Sequence, residues 1–451
     1  MKILTSRCRE RYYGRLSQFV RTSAKMSQFQ SSFSRPEYPS KPTENIAIGS
    51  LWRGFRSWRA NCNGVLSVME TNQWSGSDQE ELIRAALAFA RKAFPDDTLV
   101  GDREETFDAE GWKQCGEFGL FGMPVPAEYG GLGLGLSPVI AVMETLGYAM
   151  ADQGLLFSIN AHLWTNVIPV LTYGTEEQKK AYLPKLATGE CIGANAGSEP
   201  DAGSDIFSMR TRARKVGDRY VLNGTKTFVS NAQIADLFVT YATIDPALGP
   251  MGITAFLVPK STPGLTVSKH IEKMGLRTSP MGEVIFENCE IPVTNRLGRE
   301  GRGAGVFECA MEWERGCILA NCLGVMRRQL EKAIAHCQSR KQFGKQIGKF
   351  QSVANRVVDM KLRLETSRSL VHRIGELKDQ GKSAELEAAM AKLYVSENYV
   401  KSSLDLIQIF GGYGYMTEQR VERDLRDSVA STLYSGTSEI QRNIIAKCLG
   451  L

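Results

Sequence analysis

The sequence predicts an α+β protein: a helical N-terminal domain, a middle β domain shaped as a barrel or sandwich, and a C-terminal four-helix bundle follow one another along the chain. Three observations predict it. Apolar residues recur at three- and four-residue spacing from Asp78 to about Glu190, the period falls to two between Cys191 and about Leu297, and helical spacing returns from Gly305. No proline occurs from Ala304 to Leu451, which leaves long helices uninterrupted there. At 451 residues and 43% hydrophobic content the chain can bury more than one core.

Residues 1–75 stand apart, being rich in Arg and Ser and broken by Arg35-Pro36 and Ser40-Lys41-Pro42; they read as an extension outside the fold, a transit peptide or a segment upstream of a start at Met69. The helical domain is assigned to 76–190, where Leu82, Ala85, Ala86, Phe89 and Ala90, and later Val139 to Tyr148, set the period. Gly131 to Gly135 reads G-L-G-L-G, without the spacing or the strand-to-helix setting of a dinucleotide fingerprint. The β domain, 191–300, contains the runs Arg219–Leu222, Thr227–Val229, Leu237–Tyr241 and Thr254–Val258, with Asn223-Gly224 expected as a hairpin turn. The bundle, 301–451, is expected to place helices over Val306–Gln338, Gln351–Gln380, Ser383–Ile409 and Thr437–Leu449.

The net charge of +6 is concentrated at the start: residues 1–60 hold 12 Lys and Arg against three acids, leaving 43 bases and 46 acids in the remainder. A nucleic-acid partner is therefore not expected. Apolar runs fall short of the ~18 residues of a membrane span, so no membrane is expected either. Ten cysteines without a C-x-x-C pair, and four scattered histidines, argue against a metal site and for a reducing compartment, the cytoplasm or an organelle matrix.

Five segments carry candidate chemistry. Phe307, Met311, Glu314, Ile318 and Cys322 are spaced four, three, four and four, which puts a carboxylate on an otherwise apolar helical stripe. An acid there either pairs with a neighbour such as Arg315, or has its pKa raised and becomes a base for a weakly acidic proton. The segment Asn195 to Asp205 combines small residues with the hydroxyls of Ser198 and Ser204, suited to ring carbonyls or phosphates, and equally to an ordinary turn. Downstream, Lys226 to Asn231 sets Phe228 near Ser230. Arg340 to Gln351 and Gln408 to Tyr415 supply an Arg for a pyrophosphate and glycines that admit a close neighbour, though each also reads as a connection between helices.

Together, in this order, these segments resemble the acyl-CoA dehydrogenase family, as do Arg423-Asp424-Leu425-Arg426-Asp427 and Tyr434-Ser435-Gly436-Thr437-Ser438-Glu439-Ile440-Gln441-Arg442. The likeness covers roughly residues 78–451. It implies one FAD per subunit of a homotetramer, less often a dimer. By the same resemblance Ser198, Ser204, Phe228 and Ser230 face the flavin, Ser204 and Arg315 also touch substrate, and Thr437 and Glu439 contact the adenosine side. Arg340, Phe343, Gln351, Gln408, Gly411 and Gly412 reach the FAD of a neighbouring subunit. Many members carry their base between the Tyr and Gly of the Y-x-G-T motif, where this chain has Ser435. Others carry it on the first helix of the bundle, which matches Glu314.

The pairing of Met311 to Gly316 with a serine-bearing Tyr434 to Thr437 looks most like members acting on carrier-protein-tethered acyl or aminoacyl thioesters, prolyl among them, in secondary metabolism. The expected reaction is FAD-dependent α,β-dehydrogenation, with an electron-transfer flavoprotein or oxygen as acceptor. Short- or branched-chain acyl-CoA dehydrogenation is the alternative, and a flavin- or acyl-binding scaffold without turnover the second.

Overall fold

The computed structural model describes residues 76–94 and 99–451; the extension expected over 1–75 lies outside them. The N-terminal part contains helices α1 (Gly76–Ala93), α2 (Leu99–Glu104), α3 (Ala109–Phe118), α4 (Leu136–Ala149), α5 (Gln153–His162), α6 (Ile168–Tyr173) and α7 (Glu176–Leu186). Phe89 of α1 stacks on Phe118 of α3 at 4.3 Å between ring centroids. Asp108 caps α3 by accepting from the Gly111 N–H at 2.7 Å, and α7 opens with a capping box between Thr175 and Gln178.

Helices α5 and α6 join through a π turn at Leu163–Val167. The combined stretch Gln153–Tyr173, 21 residues, is long and apolar enough to cross a membrane by length and composition, which unbroken apolar runs had not disclosed. Its most apolar window is 94% buried against the rest of the fold, as in a core helix. The polar residues that interrupt it are satisfied inside: Ser158 shares a hydrogen bond with Ser279 at 2.8 Å, and the Asn160 amide donates to the Leu156 carbonyl at 2.7 Å.

The middle segment forms one sheet of strands β1 (Gly193–Ala196), β2 (Arg212–Val216), β3 (Arg219–Ser230), β4 (Leu237–Thr243), β5 (Ile253–Pro259), β6 (Leu265–Val267), β7 (Met281–Pro292) and β8 (Arg296–Leu297). Their order is β6-β7-β3-β2-β4-β5-β8, with β1 parallel to β4. Strands β3 and β5 are three places apart, which would be about 14 Å in a flat sheet, yet the rings of Tyr220 and Phe256 lie 5.0 Å apart. The sheet therefore curls around a core that includes Tyr220, Leu222, Phe238, Phe256 and Phe286. Asn223-Gly224 is not the expected hairpin turn. The β2–β3 hairpin turns at Gly217-Asp218, because Val216 pairs with Arg219, and Gly224 sits at a bulge inside β3. A Cβ on Gly224 would approach Thr211 Oγ1 to 2.5 Å, so glycine is needed there for close approach rather than for reversal.

The C-terminal part comprises α8 (Gly303–Cys317), α9 (Ala320–Ser339), α10 (Gln351–Asp379), α11 (Glu385–Phe410), α12 (Gly412–Tyr415), α13 (Val421–Ala430) and α14 (Ser438–Cys448). The single helix expected over Val306–Gln338 is broken at Ile318-Leu319. The break redirects α9 against α4 at very short range. A Cβ on Gly147 would meet the Asn321 carbonyl at 1.9 Å, and one on Gly324 the Glu144 carbonyl at 2.0 Å.

The Arg423 to Asp427 segment lies on α13 and joins the three parts. Arg426 pairs with Asp102 at 2.6 Å, Arg423 reaches Asp102 and Asp152 at 3.5 and 3.6 Å, and Arg328 meets Asp424 at 3.3 Å. Asp427 accepts from the Leu276 N–H at 2.6 Å. Burial raises the Asp427 pKa to about 7 despite Arg423 beside it.

Candidate active site

Glu314 sits near the C-terminal end of α8 with 8% of its surface exposed, among Met311, Ile318 and Cys322, so the stripe read from the sequence does face the core. Among the described residues no cation lies within 4.0 Å of its carboxylate. Arg315, the expected ion-pair partner, points elsewhere: its Nε donates to the Ser435 carbonyl at 3.0 Å. Burial pushes the Glu314 pKa up to about 7, opposed in part by the neighbouring Ser435 hydroxyl and by the charges of Arg315 and Lys392.

Ser435 belongs to a tight turn before α14, at a φ of 55°. The turn is held from below, where the Gln441 amide donates to the carbonyls of Ser435 and Gly436 at 3.1 and 2.9 Å. Tyr434, one residue earlier, packs against Phe157 of α5 with ring centroids 5.0 Å apart. Beyond that pair lies a cavity of only about 10 Å³, lined by Gln153, Asn321, Tyr399 and Asp427 among others, which is room for about one water. Thr437 caps α14 by accepting from the Ile440 N–H at 3.4 Å, and Glu439 is exposed on its first turn.

A second group forms at the end of β3. The Thr227 N–H donates to the Ser198 carbonyl at 2.9 Å, which brings the 195–205 segment beside Phe228 and Ser230. Phe228 is 64% exposed and held at a φ of 54°, next to the irregularity between Lys226 and Val229. Phe228 is therefore not a core aromatic but one held outward on a strained backbone. Ser204 is exposed on the same segment. The anchor of this loop is a pair that sequence reasoning did not single out: fully buried Lys226 donates to Glu199 at 2.8 Å and to the Gly197 carbonyl at 3.0 Å. Glu199 in turn accepts from the backbone N–H groups of Arg210 and Thr211.

A third group lies at the other end of the bundle. Arg340, Gly411 and Gly412 line a cavity of about 470 Å³ together with His336, Phe410 and Tyr413. The Arg340 guanidinium lies 5.7 Å from the Tyr413 ring, and a Cβ on Gly411 or Gly412 would meet nothing within 4 Å. Phe343, 93% exposed with a φ of 50°, projects from the turn between the short strands β9 (Lys341–Gln342) and β10 (Lys345–Gln346). Gln351 and Gln408 are exposed nearby at the ends of α10 and α11. Phe410 and Lys392, the α11 residue whose charge acts on Glu314, are 18 residues apart, about 27 Å along the helix axis. Within one chain, then, the Arg340 group and the Glu314 group are separate.

Comparison with known proteins identifies the family of the chain. Models of the acyl-CoA dehydrogenase N-terminal, middle and C-terminal domains match residues 76–190, 194–289 and 301–450. The chain belongs to the acyl-CoA dehydrogenase family. It is 46% identical over 346 residues to an L-prolyl peptidyl-carrier protein dehydrogenase of Pseudomonas fluorescens, covering 76% of this chain and 91% of the relative. It is 41% identical to human mitochondrial short-chain specific acyl-CoA dehydrogenase, covering 81% and 88%. Among solved structures it resembles the prolyl acyl carrier protein oxidase AnaB at 50% identity and a TM-score of 0.82, covering 84% of this chain and all of that one. PigA with FAD and proline follows at 42% identity and a TM-score of 0.82, covering 85% and 100%.

The protein is an FAD-dependent oxidoreductase of this family. Its own residues fit the cofactor: an outward aromatic at Phe228, hydroxyls at Ser198 and Ser230, and an arginine with two glycines around an open cavity suit a ring system and a pyrophosphate.

Proposed function

We propose that the protein carries out α,β-dehydrogenation of a small acyl or aminoacyl group, prolyl foremost, tethered as a thioester to a carrier protein. Glu314 carries this reading: a buried carboxylate of raised pKa that, among the described residues, has no ion pair. The thioester acidifies the Cα–H, and Glu314 takes that proton as the Cα=Cβ bond forms. Bound FAD supplies the acceptor for the hydride that leaves Cβ. Ser435 cannot serve as base at neutral pH, and its backbone turn instead fixes the substrate end of the site. Ser198, Ser204, Phe228 and Ser230 hold the flavin side, Thr437 and Glu439 the adenosine side.

The separation of the two groups within one chain, with Lys392 and Phe410 about 27 Å apart along α11, supports a further part of the proposal. Arg340, Phe343, Gln351, Gln408, Gly411 and Gly412 serve the FAD of a neighbouring subunit in a homotetramer. Arg315 acts on substrate through the Ser435 carbonyl it holds. The catalytic fold spans 76–451, with 1–75 outside it, and works in a reducing compartment such as the cytoplasm; the eight described cysteines are all free thiols.

The test is anaerobic mixing of the purified protein with prolyl-carrier protein and with a panel of acyl-CoAs while the flavin absorbance is followed. Bleaching by the carrier-bound prolyl group supports the proposal. Bleaching by short acyl-CoA alone replaces it with the acyl-CoA alternative, and no bleaching by any thioester leaves a scaffold. Peroxide release on admitting air then separates an oxygen acceptor from an electron-transfer flavoprotein.

A further inference from the structure

Lys392 of α11 is the buried charge that the reaction as described does not use. Its side chain has no exposed surface, and its Nζ has no hydrogen-bond partner. It lies 5.7 Å from the ring of Tyr434, the residue preceding the Ser435 turn. Helix α11 packs on α8 at Gly316, two residues after Glu314: a Cβ there would stand at an ordinary contact distance, 3.8 Å, from Ala388, one helical turn before Lys392, and 2.9 Å from Ile374 of α10. An ammonium buried without a partner is costly, and replacing it with an apolar group of similar size would ordinarily stabilise a protein.

The charged neighbours of Lys392 are few. Glu314 and Arg315 face it from α8 and Glu439 from α14. Around Glu314 itself the remaining titratable groups are the phenols of Tyr241 on β4 and Tyr434. Burial and the Arg315 charge push the Lys392 pKa down to about 7, while Glu314 and Glu439 hold it up. Arg315 is committed to the Ser435 carbonyl. Lys392 is therefore the buried cation within electrostatic reach of Glu314 that has no hydrogen-bond partner.

We propose that Lys392 is a positioning residue for Glu314, its ammonium keeping the base ionised when a bound thioester displaces the water around it. A carboxylate enclosed with substrate loses its solvation and would take up a proton from solvent before it could take one from Cα. A cation already enclosed with it prevents that, at a cost in stability. This inference rests on Glu314 being the base.

The experiment is rapid anaerobic mixing of the holoenzyme with prolyl-carrier protein from pH 6 to 9, for the wild type, K392M, K392Q and E314Q, with flavin content and melting temperature measured for each. Removing an opposite charge raises a carboxyl pKa by about one unit or more. K392M should keep its flavin and melt no lower than the wild type. Its flavin reduction should be roughly tenfold slower at pH 6 and converge on the wild type by pH 9, since Glu314 is then ionised in both. K392Q carries the same comparison if the longer apolar side chain disturbs packing. An unshifted pH profile in either yellow variant, or an equal loss of rate at every pH, overturns the role for Lys392 while a dead E314Q leaves the base reading standing. Loss of flavin or fold in both lysine variants also overturns it, by making the residue structural. Near-normal reduction by E314Q removes the base reading itself, and this inference with it.

Discussion

Glu314→Gln keeps the size and hydrogen bonding of the side chain and removes its proton acceptor. The flavin should remain bound, and its reduction by the best thioester should fall ~10²-fold or more, the usual scale for a positioned base. The raised pKa adds a second, independent expectation. Below the unfolded pKa of 4.5 the carboxyl is neutral in both states and costs nothing; between there and about 7 the unfolded chain ionises while the folded protein holds its proton, so stability falls as pH rises. Above pH 7 the accumulated cost is about 3 kcal/mol. The Gln variant is free of it, so it should be more stable than the wild type at pH 8 and indistinguishable at pH 4. Ser435→Ala should change the rate far less. The measurements are rapid-mixing flavin reduction and denaturant unfolding at the two pH values. Near-normal reduction by Glu314→Gln, or equal stability gaps at both pH values, would refute the reasoning.

Three further outcomes follow from the same geometry. Arg340→Ala deletes a charge-assisted contact of roughly 1.5–3 kcal/mol, so FAD should dissociate about ten- to a hundredfold more readily, seen as released flavin fluorescence on dilution. Phe157→Ala removes the ring packed on Tyr434 and opens the small cavity behind it; longer acyl thioesters should then reduce the flavin relative to prolyl, and an unchanged chain-length profile would place the acyl group elsewhere. Lys226→Met leaves Glu199 buried without its partner, a loss of about 3–5 kcal/mol; thermal unfolding should show it, together with weaker flavin retention as the Ser198 to Ser204 loop loosens.

What the sequence disclosed depended on whether the deciding contacts were local. Glu314 was visible because helical spacing alone puts it on the apolar stripe, and Val306 to Cys322 obeys that spacing. Lys392 is equally legible by the same rule, since Ala388, Lys392, Val395 and Tyr399 are spaced four, three and four and all are buried. The hairpin was misplaced because Asn223-Gly224 has turn chemistry, while the register of β3 against β7 turned it into a bulge. The break at Ile318-Leu319 is set by the crossing of α4 and α9, contacts more than 170 residues apart in the chain. Likewise, the Arg423 to Asp427 segment could be recognised but not understood, as its partners Asp102, Asp152 and Leu276 come from two other parts of the chain.

The length of α11 has a genetic consequence. With Glu314 and Arg340 in separate parts of a subunit, an assembly in which each FAD draws on two subunits would place injuries to the two in different sites. Co-expressing Glu314→Gln with Arg340→Ala would then generate some sites that inherit an intact base from one parent and an intact arginine from the other. Two impaired alleles would complement, whereas either allele alone, or both changes in one chain diluted with impaired partners, would not.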